Sequence, residues 1–290
     1  MVAGNMVADN TINTIESRVK AFIEKNSMMG SEDKIICAVS GGKDSTVLLY
    51  ILSRLFPGSV QAVTFDPHIP DYSKTNIDNI SGFCKKLSID LHIISIKDLL
   101  GLTLAQAKEK IDKDYKQLNY CTICGILKRY YLNRFARENS FTVIATGHNA
   151  DDAAQSFLMN LMKGHNELSA RIGPVSGMVK HDLFVKKVKP LFTITEHEIK
   201  TFSEEMGFPV FYGSCPYSKT SYRNQVRDHL WRYESAHQGS IKRCVDLFLE
   251  LYPYIQHHFS SSGQPQTCSN CGEPSKGKIC SACELIRYLV

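Results

Sequence analysis

Six of the ten cysteines in this 290-residue sequence fall in three Cys-x-x-Cys pairs: Cys121 with Cys124, Cys268 with Cys271, and Cys280 with Cys283. A thiolate is both a nucleophile and a soft metal ligand, so such pairs point to metal or cluster ligation wherever thiols stay reduced. The last two pairs, in CSNCGEPSKGKICSAC, have the knuckle spacing of a tetrahedral four-cysteine zinc ribbon. A tail of this size has too little core to fold unaided, and the metal is expected to supply its stability. Cys121 and Cys124 open the stretch NYCTICGILKRYYLNRFARE, with Lys128 and Arg129 about one turn further on. A helix start and nearby cations both favour thiolate over thiol, so this pair is expected to be reactive or ligating. A redox dithiol, a zinc pair and an iron–sulfur pair all fit the spacing. The two metal readings need a further ligand, for which Cys215 in FYGSCPYS is the best candidate. Cys37, Cys84 and Cys244 lie inside apolar runs and read as small buried hydrophobes.

Two other stretches carry chemistry of a different kind. In ICAVSGGKDSTVLLYIL, the residues Ser40, Gly41, Gly42, Lys43, Asp44 and Ser45 join a strand-like run to a helix-like run. The glycines let backbone N–H groups converge on an anion, the serines add hydroxyl donors, and the helix start turns its positive end to the same place. This is a phosphate cradle, but its spacing is not that of the Walker loop. In TGHNADDAAQSFLMNLMKG, Gly147 allows close backbone approach. Asp151 or Asp152 is placed either to hold Mg2+ against ATP phosphates or simply to cap a helix. A third stretch, SYRNQVRDHLWRYE, sets Arg223, Arg227 and, less closely, Arg232 along one helix, as a solvated face or as phosphate contacts for a nucleic acid.

The elements that must position these residues follow from periodicity. Strand-like runs at Lys34–Val39, Val60–Phe65, Leu91–Ile96 and Phe141–Thr146 alternate with helical patterns at Ser45–Leu55, Thr75–Leu87 and Thr122–Asn139. Such alternation predicts an α/β fold with a Rossmann-like parallel sheet, whose ligands sit beyond the carboxyl ends of its strands. The first and fourth runs end in SGGKDS and TGHNADD, so both motifs are expected to face one crevice. Residues 11–30 read as an amphipathic helix through Ile12, Ile15, Val19, Phe22 and Ile23. The stretch Gly164–Lys189, with Lys180, His181, Lys186, Lys187 and Lys189, reads as a positively charged loop-and-strand excursion. From Thr195 to about His258 the pattern is helical, interrupted by GFPVFYGSCPYS, and SSSGQPQ reads as a linker to the cysteine tail. The expected organisation is an N-terminal helix (1–30), a catalytic domain (31–194), a helical region carrying Cys215 (195–260) and the ribbon (261–290). Hydrophobic residues make up 43%, charged residues 22%, and the net charge of +5 mildly favours a polyanionic partner. The first residues lack the basic-then-apolar order of a secretory signal, and the expected location is the cytoplasm.

The Ser-Gly-Gly-x-Asp-Ser loop resembles that of the PP-loop, or N-type, ATP pyrophosphatases, which grip the pyrophosphate of ATP while a substrate is adenylated. In that family the second strand runs beside the adenosine, which implies Ala62 and Thr64 of AVTFD here. Three further matches narrow the resemblance: Cys-x-x-Cys-x-x-x-Lys, then Gly-His-Asn-x-Asp-Asp, then an isolated Cys-Pro-Tyr. Together these are similar to the tRNA 2-thiouridine synthetases of the wobble and T-loop positions, over roughly residues 31–290. The resemblance implies a [4Fe–4S] cluster on Cys121, Cys124 and Cys215. An iron without a protein ligand would then present sulfur, and Lys128 and Asp152 would lie at the active site. It also implies ATP with Mg2+, a tRNA substrate, a ubiquitin-like sulfur-carrier protein or inorganic sulfide as donor, and a homodimer. Members commonly carry a second cysteine module ahead of the loop, whereas no cysteine precedes Cys37 here. Two rival readings are a cluster-free thiolase with a persulfide on Cys215 resolved by Cys121 or Cys124, and a non-catalytic subunit binding tRNA or the sulfur carrier.

Overall fold

Strands flanked by helices on both faces must be apolar along their whole length, and Ile35, Ile36 and Cys37 are fully buried on successive positions. The computed structural model describes residues 2–175, 183–218, 222–259, 266–275 and 277–290, with side chains from residue 14 onward. Lys180, His181, Ser221, the side chain of Ile12 and most of the SSSGQPQ stretch lie outside the described residues.

The chain order is α1 (Val2–Lys25), β1 (Ile35–Ala38), α2 (Lys43–Leu55), β2 (Val60–Asp66), α3 (Tyr72–Leu87), β3 (Leu91–Ser95), α4 (Ile96–Leu100), α5 (Leu104–Asp114) and α6 (Tyr120–Glu138). It continues with β4 (Val143–Thr146), α7 (Ala150–Met162), α8 (Asn166–Ser169), β5 (Lys186–Val188), α9 (Glu196–Glu205), α10 (Tyr222–Ala236) and α11 (Ser240–Phe259). A two-stranded ribbon, β6 (Gln266–Thr267) and β7 (Pro274–Ser275), and α12 (Ser281–Ile286) complete it. All four expected strands are present and pair in parallel, in the order β3-β2-β1-β4-β5. The fifth strand comes from the lysine-bearing excursion. From β1 the chain winds outward to β2 and β3 on one side, then returns to β4 and β5 on the other. The order therefore reverses between β1 and β4, where a crevice opens at the carboxyl ends of parallel strands. Ala38 is in register with Thr146 there, so SGGKDS and TGHN leave the sheet side by side.

One face of the sheet is covered by α1, α2, α7, α9 and α11, with Phe192, Phe202 and Phe248 fully buried among them. The helix expected over 11–30 begins at Val2 and ends at Lys25; Ser27 then turns at φ +46° so that Met28 can bury itself. Arg18 ties α1 to α9 through Glu198 and donates to the Thr193 carbonyl at 3.2 Å. On the other side Ile111, Ile123 and Leu127 of α5 and α6 pack with Leu285 and Leu289 of the tail. No described helix is long and apolar enough to cross a membrane.

The cysteine tail is docked rather than loosely tethered. Glu273, 5% exposed, accepts from Asn133 Nδ2 at 2.8 Å and forms an ion pair with Arg137, both on α6. Asn133 Oδ1 in turn accepts from the Val185 N–H at 3.2 Å, joining α6 to the approach of β5. Tyr115 stacks on Tyr288 with centroids 4.7 Å apart and donates to Glu284 at 2.7 Å.

Candidate active site

The SGGKDS loop is shaped by contacts that leave no space for side chains. Gly41 adopts φ +77°, and a Cβ there would lie 2.5 Å from the Asn76 carbonyl oxygen of α3. Ser45 Oγ accepts from the Ser40 N–H at 3.0 Å and donates to the Gly42 carbonyl at 3.1 Å, cross-bracing the loop. Gly42 precedes α2 without a side-chain cap, so the first N–H groups of that helix have no side-chain acceptor, as an anion cradle requires. Gly147 is pressed on this same helix start: a Cβ would stand 2.9 Å from the Ser45 nitrogen and 3.0 Å from the Asp44 carbonyl carbon. The two motifs thus touch through backbone. Asn149 completes the junction by donating to Asp44 Oδ1 at 2.9 Å. Of the two positions on β2, Ala62 is fully buried and Thr64 is 3% exposed.

Charges alternate around the junction. Lys43 reaches Asp44 at 3.0 Å and Glu196 of α9 at 2.7 Å. Burial opposes its charge, but these two carboxylates hold its pKa above the ordinary lysine value. Asp151 is 4% exposed; it accepts from the Glu196 N–H at 2.7 Å and from Trp231 Nε1 at 3.2 Å, fastening α7 to α9 and α10. Burial keeps its carboxyl above the usual range despite those bonds. Asp152 forms a capping box with Asn149 and also pairs with Arg223 at 3.0 Å. The capping and functional readings of this residue are therefore compatible, since one oxygen caps and the other faces the cation. Arg223 also donates to Ser156 at 2.9 Å, whereas Arg227 is held on its own helix by Asp228 at 3.2 Å and by the Trp231 ring at 4.9 Å. His148 Nδ1 is 2.9 Å from Thr146 Oγ1. Desolvation pushes its pKa down to about 4, against the pull of Asp152 and with the help of Lys189, Lys128 and Arg223, so its imidazole is neutral at pH 7. The residue as a whole is nonetheless exposed, so solvent tempers this shift.

Cys121 and Cys124 lie in the first turn of α6, which Asn119 caps by accepting from the Thr122 N–H at 2.7 Å. Cys215 approaches them from the turn Pro216–Ser218, and the two segments are joined by Tyr120 stacked on Tyr217 with centroids 4.1 Å apart. Cys121 Sγ is 3.9 Å from the Tyr217 carbonyl. The thiolate character expected of the pair is not what the bare protein gives. Burial raises the Cys121 and Cys124 thiols, the neighbouring Cys215 adds to the rise, and Lys128 only partly offsets it. Three cysteines that disfavour one another's deprotonation suit a bound cation or cluster, which would stabilise their thiolates. Among the described residues, only the four tail cysteines bring their ligand atoms within 4.8 Å of one another. Four thiolates 2.3 Å from one zinc ion lie roughly 4 Å apart, so the tail set fits a single zinc. The backbone of Cys280 donates to Cys268 Sγ at 3.2 Å and that of Cys283 to Cys280 Sγ at 3.4 Å, as in a knuckle.

The trio and the phosphate loop are linked by one turn of α3. Asn76, against Gly41, donates to the Tyr72 carbonyl at 2.8 Å, and the Tyr72 phenol is raised by burial and by the Cys215 and Cys124 thiols. Lys128 acts on Cys121 and Cys124 on one side and on His148 on the other. Glu196, Tyr72 and Asn76 are absent from the sequence motifs, and Trp231 and Lys189 lie in stretches whose spacing gives them no role in the site. They meet the site through tertiary contacts, and no local spacing announces them.

An α/β sheet with a phosphate loop at its switch point, uncapped at the following helix, defines a class of ATP-using proteins, and the PP-loop domain profile matches residues 11–234. This chain belongs to that family. It is 31% identical to the tRNA-5-methyluridine(54) 2-sulfurtransferase of Pyrococcus horikoshii, over 93% of this chain and 83% of the relative. It is 27% identical to the tRNA 2-thiolation protein NcsA of Haloferax volcanii, over 97% of this chain and 92% of the relative. Among solved structures it superposes on the U34-tRNA thiolase NcsA from Methanococcus maripaludis, a structure with its [4Fe–4S] cluster. That match has a TM-score of 0.80 and 29% identity, over 97% of this chain and 89% of the other.

Proposed function

We propose that the protein is an ATP-dependent tRNA 2-sulfurtransferase that acts on a uridine held between the SGGKDS loop and the three cysteines. The single observation that carries this is the turn Tyr72–Asn76, which abuts the phosphate loop through Asn76 and packs through Tyr72 on the same apolar cluster as Cys124 and Cys215. Two activations are required to exchange a carbonyl oxygen for sulfur. The uridine O2 attacks the α-phosphorus of ATP and pyrophosphate leaves; hydrosulfide then attacks C2, loses its proton, and AMP departs with the former O2. The loop residues Ser40–Ser45 hold the phosphates, and Mg2+ would sit between them and a carboxylate of Asp44 or Asp152. Cys121, Cys124 and Cys215 would hold a [4Fe–4S] cluster, which would supply a place to bind sulfur. Lys128 neutralises charge developing on the base between the two sites, and Arg223 orients Asp152. The tail cysteines hold structural zinc. A ubiquitin-like carrier protein or inorganic sulfide donates the sulfur, and the protein works as a homodimer in the cytoplasm.

The test is anaerobic purification followed by iron and acid-labile sulfide assays, with mass spectrometry of nucleosides from tRNA incubated with ATP and sulfide. Iron near four per chain, with ATP-dependent 2-thiouridine or its 5-methyl derivative, is the expected result. Active protein without iron would favour a persulfide on Cys215, and iron-loaded protein that thiolates nothing would overturn the reading.

A further inference from the structure

Phe211 lies four residues before Cys215 in the irregular segment that follows α9, and 42% of it is exposed. Single exposed apolar residues are ordinary, but this ring is held by two neighbours while much of it stays open. It meets the Tyr72 ring edge-on, with centroids 6.1 Å apart and planes at 78°. It also covers Gly213 so closely that a Cβ there would stand 2.3 Å from its Cζ. Tyr72 packs on the same apolar cluster as Cys124 and Cys215, and its helix turn leads to Gly41. The open part of the Phe211 ring therefore stands at the rim of the gap between nucleotide and sulfur sites.

A uridine in folded tRNA presents O2 and C2 to an enzyme only after leaving its stack, and unstacked bases are held on aromatic faces. We propose that Phe211 is the platform on which the target pyrimidine of the tRNA stacks, with Tyr72 and Gly213 fixing the ring. This rests on the tRNA-thiolation reading. Phe211 is a positioning residue: it holds the base while Lys128, Asp152 and the bound groups act on it.

The test uses the full-length, anaerobically reconstituted protein with ATP, sulfide and whichever tRNA the wild type thiolates. Phe211→Leu and Phe211→Ala are expected to lower kcat/KM for tRNA about tenfold, the lower part of the range that loss of one base stack gives. Phe211→Tyr is expected to restore most of that loss. Iron content, ATP affinity and thermal midpoint of Phe211→Leu should match the wild type, which separates a stacking role from misfolding. In a second measurement, tRNA carrying 5-bromouridine at the modified position is irradiated in the complex, and the cross-linked peptide should map to residue 211. Wild-type kcat/KM in Phe211→Leu, or a cross-link elsewhere, overturns the proposal while leaving thiolation intact. Loss of activity with a carrier-protein donor but not with sulfide also overturns it, because the ring would then be a protein-docking contact. If the wild type thiolates no tRNA under conditions of full iron loading, both this proposal and the functional reading fall.

Discussion

Lys128 is the residue whose charge bears on both halves of the site, since it lowers the Cys121 and Cys124 thiols and depresses His148. Removing a preorganised cation from developing negative charge costs about two to three orders of magnitude in rate. Lys128→Met is therefore expected to slow thiolation about 100-fold with iron content unchanged, as read by anaerobic single-turnover assays. Lys187 offers a pH test away from the chemistry. Burial, aided by Arg129 and opposed by Glu273, pushes its pKa down to about 8 from 10.5. A folded value below the unfolded one means that the unfolded chain binds more protons between those limits, so stability rises with pH there. The penalty is full below about pH 8 and fades towards pH 10.5. In urea unfolding under reductant, the stability of Lys187→Met relative to wild type should thus be most favourable at pH 7 and decline by pH 10. A difference that does not change with pH would refute the assigned shift.

At the scale of elements, the junction of α2 with the TGHN turn depends on the absence of one side chain. In Gly147→Ala the new methyl meets the Ser45 nitrogen at 2.9 Å, and backbone at a helix start cannot swing aside as a flexible side chain can. Destabilisation of about 1–3 kcal/mol, typical of overpacking, is expected together with weaker ATP binding, by urea titration and calorimetry. The tail gives a second case. Glu273→Ala leaves Arg137, whose Nε already lacks a partner among the described residues, without its carboxylate, and removes one of the two acceptors of Asn133 Nδ2, the Leu183 carbonyl remaining. With Arg137 one-third exposed, we expect a loss of about 2 kcal/mol, below the 3–5 kcal/mol of a fully buried pair. The strands β1 and β4 are legible in the sequence because their residues are almost all apolar without alternation, and β2 and the edge strand β3 because they stay largely apolar despite Gln61, Thr64 and His92. The three residues of β5 carry two lysines, Lys186 and Lys187, and give no such signal. The helix α5 escapes the periodicity reading although Thr103 and Gln106 form a capping box and Leu104, Ala107 and Ile111 recur at helical spacing.

Across the whole molecule, the site joins segments distant in sequence around the switch point of one sheet, with α6 as the shared part. Its first turn carries Cys121 and Cys124, its middle carries Lys128, and its last turns receive the ribbon through Asn133 and Arg137. The motifs SGGKDS, TGHNADD and the cysteine pairs are legible because each needs its residues at fixed local spacing. The Glu196–Lys43 pair and the Trp231–Asp151 bond are not, because they link residues 153 and 80 positions apart with no repeat to announce them. The central claim is that ATP activates the very oxygen that sulfur replaces, within one cleft. Its most direct test is a tRNA whose target uridine carries 18O at O2, incubated with the reconstituted protein, unlabelled ATP and sulfide, and analysed by mass spectrometry. One labelled oxygen in AMP for each thionucleoside formed is the predicted result; thionucleoside accompanied by unlabelled AMP, or by no AMP, would contradict the account.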